Sequence, residues 1–313
     1  MPSVVTLTNH WNPAISTLNH GSCANADDGC ERHGLCHAIA LLMRPGAASN
    51  LCGGFSMSSA STQQSVSARQ VDIPTPEGVI DSWLFFPQKS PEQAGRWPLV
   101  ILNTDIKGVR ETFVEHGRKL ASYGFFVVLP NLYYRLGRAP VIDPSASFGD
   151  EKSKDRLQQL RQSLSNEGIR ADHAAIFKFV ADEAAADSSR VGILGYCLSG
   201  AIALRTAADF PERIKAAASF HGGRLASDAA DSPHLRAAEI KAHLYFGYAR
   251  DDGSMTDEHI AVLEQALKAA DVRFASEQYT AKHGFAVADS ASFEEAAANQ
   301  HWQRVVSLLR EAL

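Results

Sequence analysis

A chain of 313 residues, 45% hydrophobic and 21% charged, can bury a sizeable core as one large α/β domain or two small ones. Its formal charge of −5 argues against a nucleic-acid binder, which would carry a basic excess. Its longest apolar run, Leu35 to Met43, falls well short of the ~18–20 residues that a membrane span needs.

The first 65 residues differ from the rest. They are rich in Ser, Asn, Ala, Gly and Cys, and hold no sustained period of 2 or 3.6. Four of the five cysteines lie here, at Cys23, Cys30, Cys36 and Cys52. Their spacing, C-x6-C-x5-C-x15-C, lacks the close C-x2-C pairs of structural zinc sites. His33 and His37 could share a helix face, yet a solvated pair explains them equally well. No metal site is therefore expected, and residues 1–65 are read as a low-order leader ending in a polar linker, Met57 to Arg69. An odd cysteine count without an obvious signal peptide fits a reducing compartment, so the expected location is the cytoplasm.

From Val66 onward, short apolar runs alternate with amphipathic segments. Strands are expected at Ser82–Pro87, Pro98–Thr104, Gly124–Asn131, Arg190–Tyr196, Ala216–Gly222, Ala242–Tyr248 and Arg273–Tyr279. Several are apolar on both faces, as in a sheet covered by helices on each side. Phe113, Val114, Leu120 and Ala121 form one helical stripe, and Ile260, Leu263 and Leu267 form another. A long amphipathic helix closes the chain. This alternation predicts a single α/β domain over 66–313, built on a mostly parallel, doubly wound sheet.

The stretch Gly195-Tyr196-Cys197-Leu198-Ser199-Gly200 joins an apolar strand to an Ala- and Leu-rich helix. It matches a nucleophile elbow, whose reactive residue takes strained backbone angles and needs small neighbours. The helix N-terminus favours a thiolate at Cys197, and the Leu198 N–H points to where an oxyanion would form. The competing explanation is a small buried cysteine that only packs. A nucleophile also needs a base and a group to orient it, in the chain order nucleophile, acid, histidine at successive strand ends. Asp251 and Asp252 follow one late strand and His283 follows the next, so both requirements can be met.

These residues resemble the dienelactone hydrolase family, a cysteine-dependent branch of the α/β-hydrolases, from about Val71 to the C-terminus. The carriers are "GYCLSG", "HGF" at His283–Phe285 and "PNLYYRLG" at Pro130–Gly137, with Ser199 replacing the first of the family's paired glycines. The resemblance implies the α/β-hydrolase fold, hydrolysis of a small ester or lactone, and no cofactor. It implies Cys197, Asp252 and His283 as the catalytic set, with Asp251 as a solvent-facing neighbour. It further implies that Asp105 contacts the resting thiol and that the Ile106 N–H completes the oxyanion hole with Leu198. Arg135 would bind a substrate carboxylate, with Tyr133, Tyr134, His221 and Phe285 lining the pocket. The family's second arginine is missing, Val287 standing in its place, and Arg138 is a possible substitute. Alternatives are a general short-chain carboxylesterase or thioesterase, or a non-catalytic scaffold that binds ligands or senses redox state through Cys197. The sequence leaves the oligomeric state open.

Overall fold

A computed structural model describes residues 65–88, 95–146 and 150–313; the leader and its cysteines and histidines lie outside the described residues. The elements in chain order are strands β1 (Val66–Thr75), β2 (Gly78–Pro87) and β3 (Trp97–Leu102), helix α1 (Glu111–Ser122), and β4 (Phe126–Pro130). Helices α2 (Glu151–Gln162) and α3 (Asn166–Ala181) follow, then β5 (Ala186–Tyr196), α4 (Leu198–Asp209) and β6 (Ile214–Phe220). The chain ends with β7 (His243–Ala249), α5 (Asp257–Ala269), β8 (Phe274–Tyr279) and α6 (Glu295–Ala312).

The eight strands form one sheet in the order β1-β2-β4-β3-β5-β6-β7-β8. The β1–β2 and β2–β4 pairs are antiparallel and the other five are parallel. This is the mostly parallel α/β sheet expected from the alternation of elements, in the α/β-hydrolase form that the resemblance implies.

Strand periodicity sorts the core into two layers. In β3, Leu99 and Ile101 face one side, where they join Ile176, Phe177 and Val180 of α3, Ala203, Leu204 and Ala207 of α4, and Leu263 and Leu267 of α5. Val100 and Leu102 face the other side, with Phe113 and Leu120 of α1 and Val305 and Leu309 of α6. With both faces covered, the central strands must be apolar throughout, which is why they were visible as unbroken runs.

Strand β1 departs from expectation, because Val66–Arg69 had been assigned to the linker. On this edge strand only the inward residues are apolar: Ile73 is buried while Arg69, Gln70 and Asp72 are exposed. Pro74 is tolerated at such an edge and further masks the pattern. Helices α2 and α3 were also unanticipated; each starts at a side-chain cap, Asp150 accepting from Ser153 N–H and Ser165 from Gly168 N–H.

Beneath the Tyr196–Cys197 corner lies a buried aromatic and histidine cluster. The Tyr196 hydroxyl is 2.7 Å from His301 Nε2, and its ring packs edge-on against Phe113. His116 sits between Tyr196 and Trp302. Burial pushes His116 and His221 down to about 3 and His173 to about 4, and holds His301 well below its ordinary range. These rings are neutral in the folded state at pH values where the unfolded chain, with ordinary histidines near 6.5, takes up protons. Between those limits the unfolded state binds more protons, so stability is lost as the pH falls, by up to about 1.4 kcal/mol per pH unit for each ring. Thermal unfolding should therefore move to much lower temperature between pH 6.5 and 4.5, with a shallower dependence in His116→Phe. Calorimetry across that range checks this, and a pH-independent midpoint would contradict it.

Candidate active site

Cys197 occupies the single residue between β5 and α4, with φ 56° and ψ −123°. A non-glycine residue there stores about 1–3 kcal/mol of strain and persists only where its surroundings hold it. Here the Cys197 N–H donates to Phe220 O at 3.1 Å, and its carbonyl accepts from Gly200 N–H at 3.1 Å and Gly223 N–H at 3.4 Å. Glycine is required on both sides. A Cβ on Gly195 would fall 2.1 Å from the Ser199 carbonyl oxygen, and one on Gly200 would fall 2.2 Å from Ser219 Oγ. Ser199 ties the corner together: its hydroxyl accepts from Tyr196 N–H at 2.9 Å and lies 3.1 Å from Tyr196 O and 3.3 Å from Asn103 O. The side chain that replaces the family glycine is thus absorbed as a brace.

Asp252 and His283 stand beyond the ends of β7 and β8. Asp252 Oδ2 lies 2.6 Å from His283 Nδ1, while Oδ1 accepts from the Ser254 N–H and hydroxyl at 2.9 and 2.7 Å. Burial pushes the Asp252 carboxyl up, but hydrogen bonds from His283 and Ser254 outweigh it and leave a net lowering. His283 moves the other way: burial opposes its charge, yet hydrogen bonding to Asp252 and to Cys197 raises it to about 10. The two aspartates are distinguished by geometry. Asp251 is exposed with φ 55°, whereas the Asp252 side chain is 6% exposed and faces the histidine. The buried His221 ring packs edge-on to His283, with centroids 4.9 Å apart, and neither of its nitrogens has a partner among the described residues.

The Ile106 side chain belongs to a buried cluster with Tyr133, Val141, Leu157 and Leu160, against which Leu198 packs. Ile106 and Leu198 follow adjacent strands, β3 and β5. Among the described residues, neither backbone N–H donates to a backbone acceptor outside the regular elements.

Four expected side-chain contacts are replaced by others. Asp105 does not spend its carboxylate on the thiol: Oδ1 accepts from Arg110 Nη1 at 2.7 Å and Oδ2 from Arg110 Nη2 at 2.8 Å. Arg135 directs its fork into the protein, with Nη1 and Nη2 donating to Asp172 at 2.8 and 2.9 Å and Nε to Glu77 at 2.5 Å. The Tyr134 hydroxyl donates to Asp172 at 2.9 Å and lies 2.9 Å from Thr75 Oγ1, so it braces the β1–β2 turn. Phe285 is 0% exposed and stacks on Tyr279 at 4.5 Å, a core position under His221. Arg138, the possible substitute, pairs with Asp72 at 2.6 Å, and Val287 is buried. Two residues that the sequence did not single out, Arg110 and Asp289, join Asp105 in one ionic cluster. Arg110 is the N-cap residue of α1, and nothing local in "VADSAS" marks Asp289 as its partner.

Comparison with known proteins agrees with this architecture. The profile of the dienelactone hydrolase family matches residues 85–313. The chain belongs to the dienelactone hydrolase family. Its members are hydrolases acting on ester or lactone bonds. A carboxymethylenebutenolidase of Rhodococcus opacus is 31% identical over 224 residues, covering 70% of this chain and 83% of that protein. A Klebsiella pneumoniae structure assigned as a dienelactone hydrolase superposes with a TM-score of 0.69 at 25% identity, covering 78% of this chain and 98% of the other. A dienelactone hydrolase-like promiscuous phosphotriesterase from metagenomic libraries shares the fold, with a TM-score of 0.66 at 21% identity, covering 79% and 98%.

Arg135 is engaged by the carboxylates of Asp172 and Glu77. Its partner Asp172 has a side chain only 1% exposed, and Arg135→Met would strand that charge, at a cost of about 3–5 kcal/mol. Denaturant unfolding should show such a loss; a variant as stable as the parent would return Arg135 to the list of substrate-binding candidates.

Proposed function

We propose that this family member hydrolyses small esters or lactones through a thioester on Cys197. The observation that carries the reading is the 2.6 Å Asp252–His283 pair, with its histidine raised by Asp252 and Cys197, at the same sheet edge as the strained Cys197 corner. Asp252 takes His283 Nδ1 at 2.6 Å, leaving Nε2 for the sulfur.

In the first half-reaction, Cys197 Sγ attacks the carbonyl carbon and the carbonyl π pair moves onto oxygen. The Leu198 and Ile106 N–H groups receive that oxyanion; one such donor is typically worth roughly 10²–10³ in rate. His283, holding its proton beside the sulfur up to pH about 10, gives it to the departing alkoxide as the C–O bond breaks. The neutral imidazole then takes a proton from water, whose oxygen attacks the thioester. Collapse of the second tetrahedral intermediate releases the acid and restores the sulfur and imidazolium. Asp252 fixes the imidazole tautomer and stabilises its charged form. Nothing in these steps draws on a cofactor.

Engagement of Arg135 by Asp172 and Glu77 favours a general short-chain carboxylesterase over an enzyme dependent on a carboxylate-bearing lactone. Activity should be measured on short activated esters and small lactones with the parent, Cys197→Ala, Asp252→Asn and Asp251→Asn, at matched circular dichroism. Cys197→Ala should fall to background, Asp252→Asn by about 10²–10⁴, and Asp251→Asn by less than twofold. Equal activity in the parent and Cys197→Ala would sink the mechanism.

A further inference from the structure

We infer that Arg110 is a positioning residue that locks the loop carrying the Ile106 N–H to the loop carrying His283; the inference rests on the thioester mechanism proposed above. A guanidinium has five N–H donors, and here all five are used. Nε donates to Asp289 Oδ2 at 2.6 Å. Nη1 donates to Asp105 Oδ1 at 2.7 Å and to Gly108 O at 3.1 Å. Nη2 donates to Asp105 Oδ2 at 2.8 Å and to Asp289 Oδ1 at 2.9 Å. The group is planar, so two bidentate carboxylates are held in fixed mutual orientation. The side chain is 4% exposed and lies 5.1 Å from the Phe113 ring centre, which leaves it little freedom to swing.

Each end of the clamp reaches the reaction through a short, hydrogen-bonded path. Asp105 directly precedes Ile106. Its Oδ1 accepts from the Lys107 N–H at 2.9 Å and its carbonyl from the Gly108 N–H at 3.1 Å, closing a turn around Ile106. Asp289 lies on the histidine loop. There Phe285 N–H donates to Lys282 O, Val287 N–H to Gly284 O and Ser290 N–H to Val287 O, at 3.1, 3.1 and 2.9 Å. These successive turns make one stiff segment from His283 to Asp289. Arg110 thereby sets the separation of the oxyanion donor from the imidazole, although it touches neither. A displacement of about 1 Å between such groups can cost 10²-fold in rate.

Two probes of Cys197 separate this role from a general effect on the fold. A short aliphatic aldehyde inhibits by hemithioacetal formation: sulfur bonds to the carbonyl carbon, the π pair moves to oxygen, and that oxygen needs the Ile106 donor before His283 protonates it. Iodoacetamide alkylates the same sulfur with loss of iodide and creates no oxyanion. Parent, Arg110→Met and the milder Asp289→Asn are compared, with rates normalised to titrated thiol. In Arg110→Met the aldehyde affinity and the ester kcat should each fall tenfold or more, with KM and the alkylation rate within threefold of the parent. Asp289→Asn should move the same quantities in the same direction by less. Alkylation that falls as far as aldehyde affinity, or aldehyde affinity unchanged in both variants, would overturn the role. If the parent is not alkylated at Cys197, or Cys197→Ala hydrolyses esters as well as the parent, the thioester reading falls and this inference with it.

Discussion

The geometry of the site depends on one strained residue. At φ 56° and ψ −123°, Cys197 ends β5 and begins α4 without an intervening loop, so the sulfur stands at the C-terminal edge of the sheet. The strain is offset by neighbours whose identities follow from it: glycines at 195 and 200 because no Cβ fits, and Ser199 because its hydroxyl can stitch the turn. Tyr196, fixed below by His301 and Phe113, keeps the end of the strand from relaxing. A conformation that a lone peptide would avoid is thus maintained by packing and hydrogen bonds from β6, α6 and α1.

Around this corner, charge is arranged in two separate chains. Asp252 and His283 form a partly buried pair in which hydrogen bonding outweighs desolvation for both partners. Asp105, Arg110 and Asp289 form a second chain that joins two loops. A third group, half-buried Arg135 with buried Asp172, ties the segment after β4 to α3 and through Glu77 to the β1–β2 turn. Arginine recurs in both structural roles because its planar fork can satisfy two carboxylates at once, which a lysine could not do.

The sequence made the sheet and the corner legible to different depths. Central strands stood out because burial on both faces demands continuous apolar residues, and the elbow stood out because strain demands small ones. Chain order at successive strand ends, a consequence of a parallel sheet, brought Asp251 or Asp252 and His283 forward as partners for Cys197, and the family resemblance chose Asp252. Edge strand β1 was hidden because exposed Arg69, Gln70, Asp72 and Pro74 interrupt its apolar residues. Side-chain partners were hidden for a more general reason. Arg110 and Asp289 are separated by 179 positions, and Arg135 and Asp172 by 37. A residue type states what an arginine can bind; only the fold decides which carboxylate arrives first. Arg135 and Tyr134 therefore looked like substrate-facing residues until Asp172 was seen to occupy both.

The most direct test of the account is the mass of the intact protein, quenched in acid within the first turnovers of an activated short-chain ester and then mapped by peptide digestion. The account predicts a single adduct of the acyl group's mass on the peptide bearing Cys197, labile to hydroxylamine as a thioester is, and absent after turnover is complete. An adduct on another residue, or steady hydrolysis with no acyl group ever found on Cys197, would contradict it.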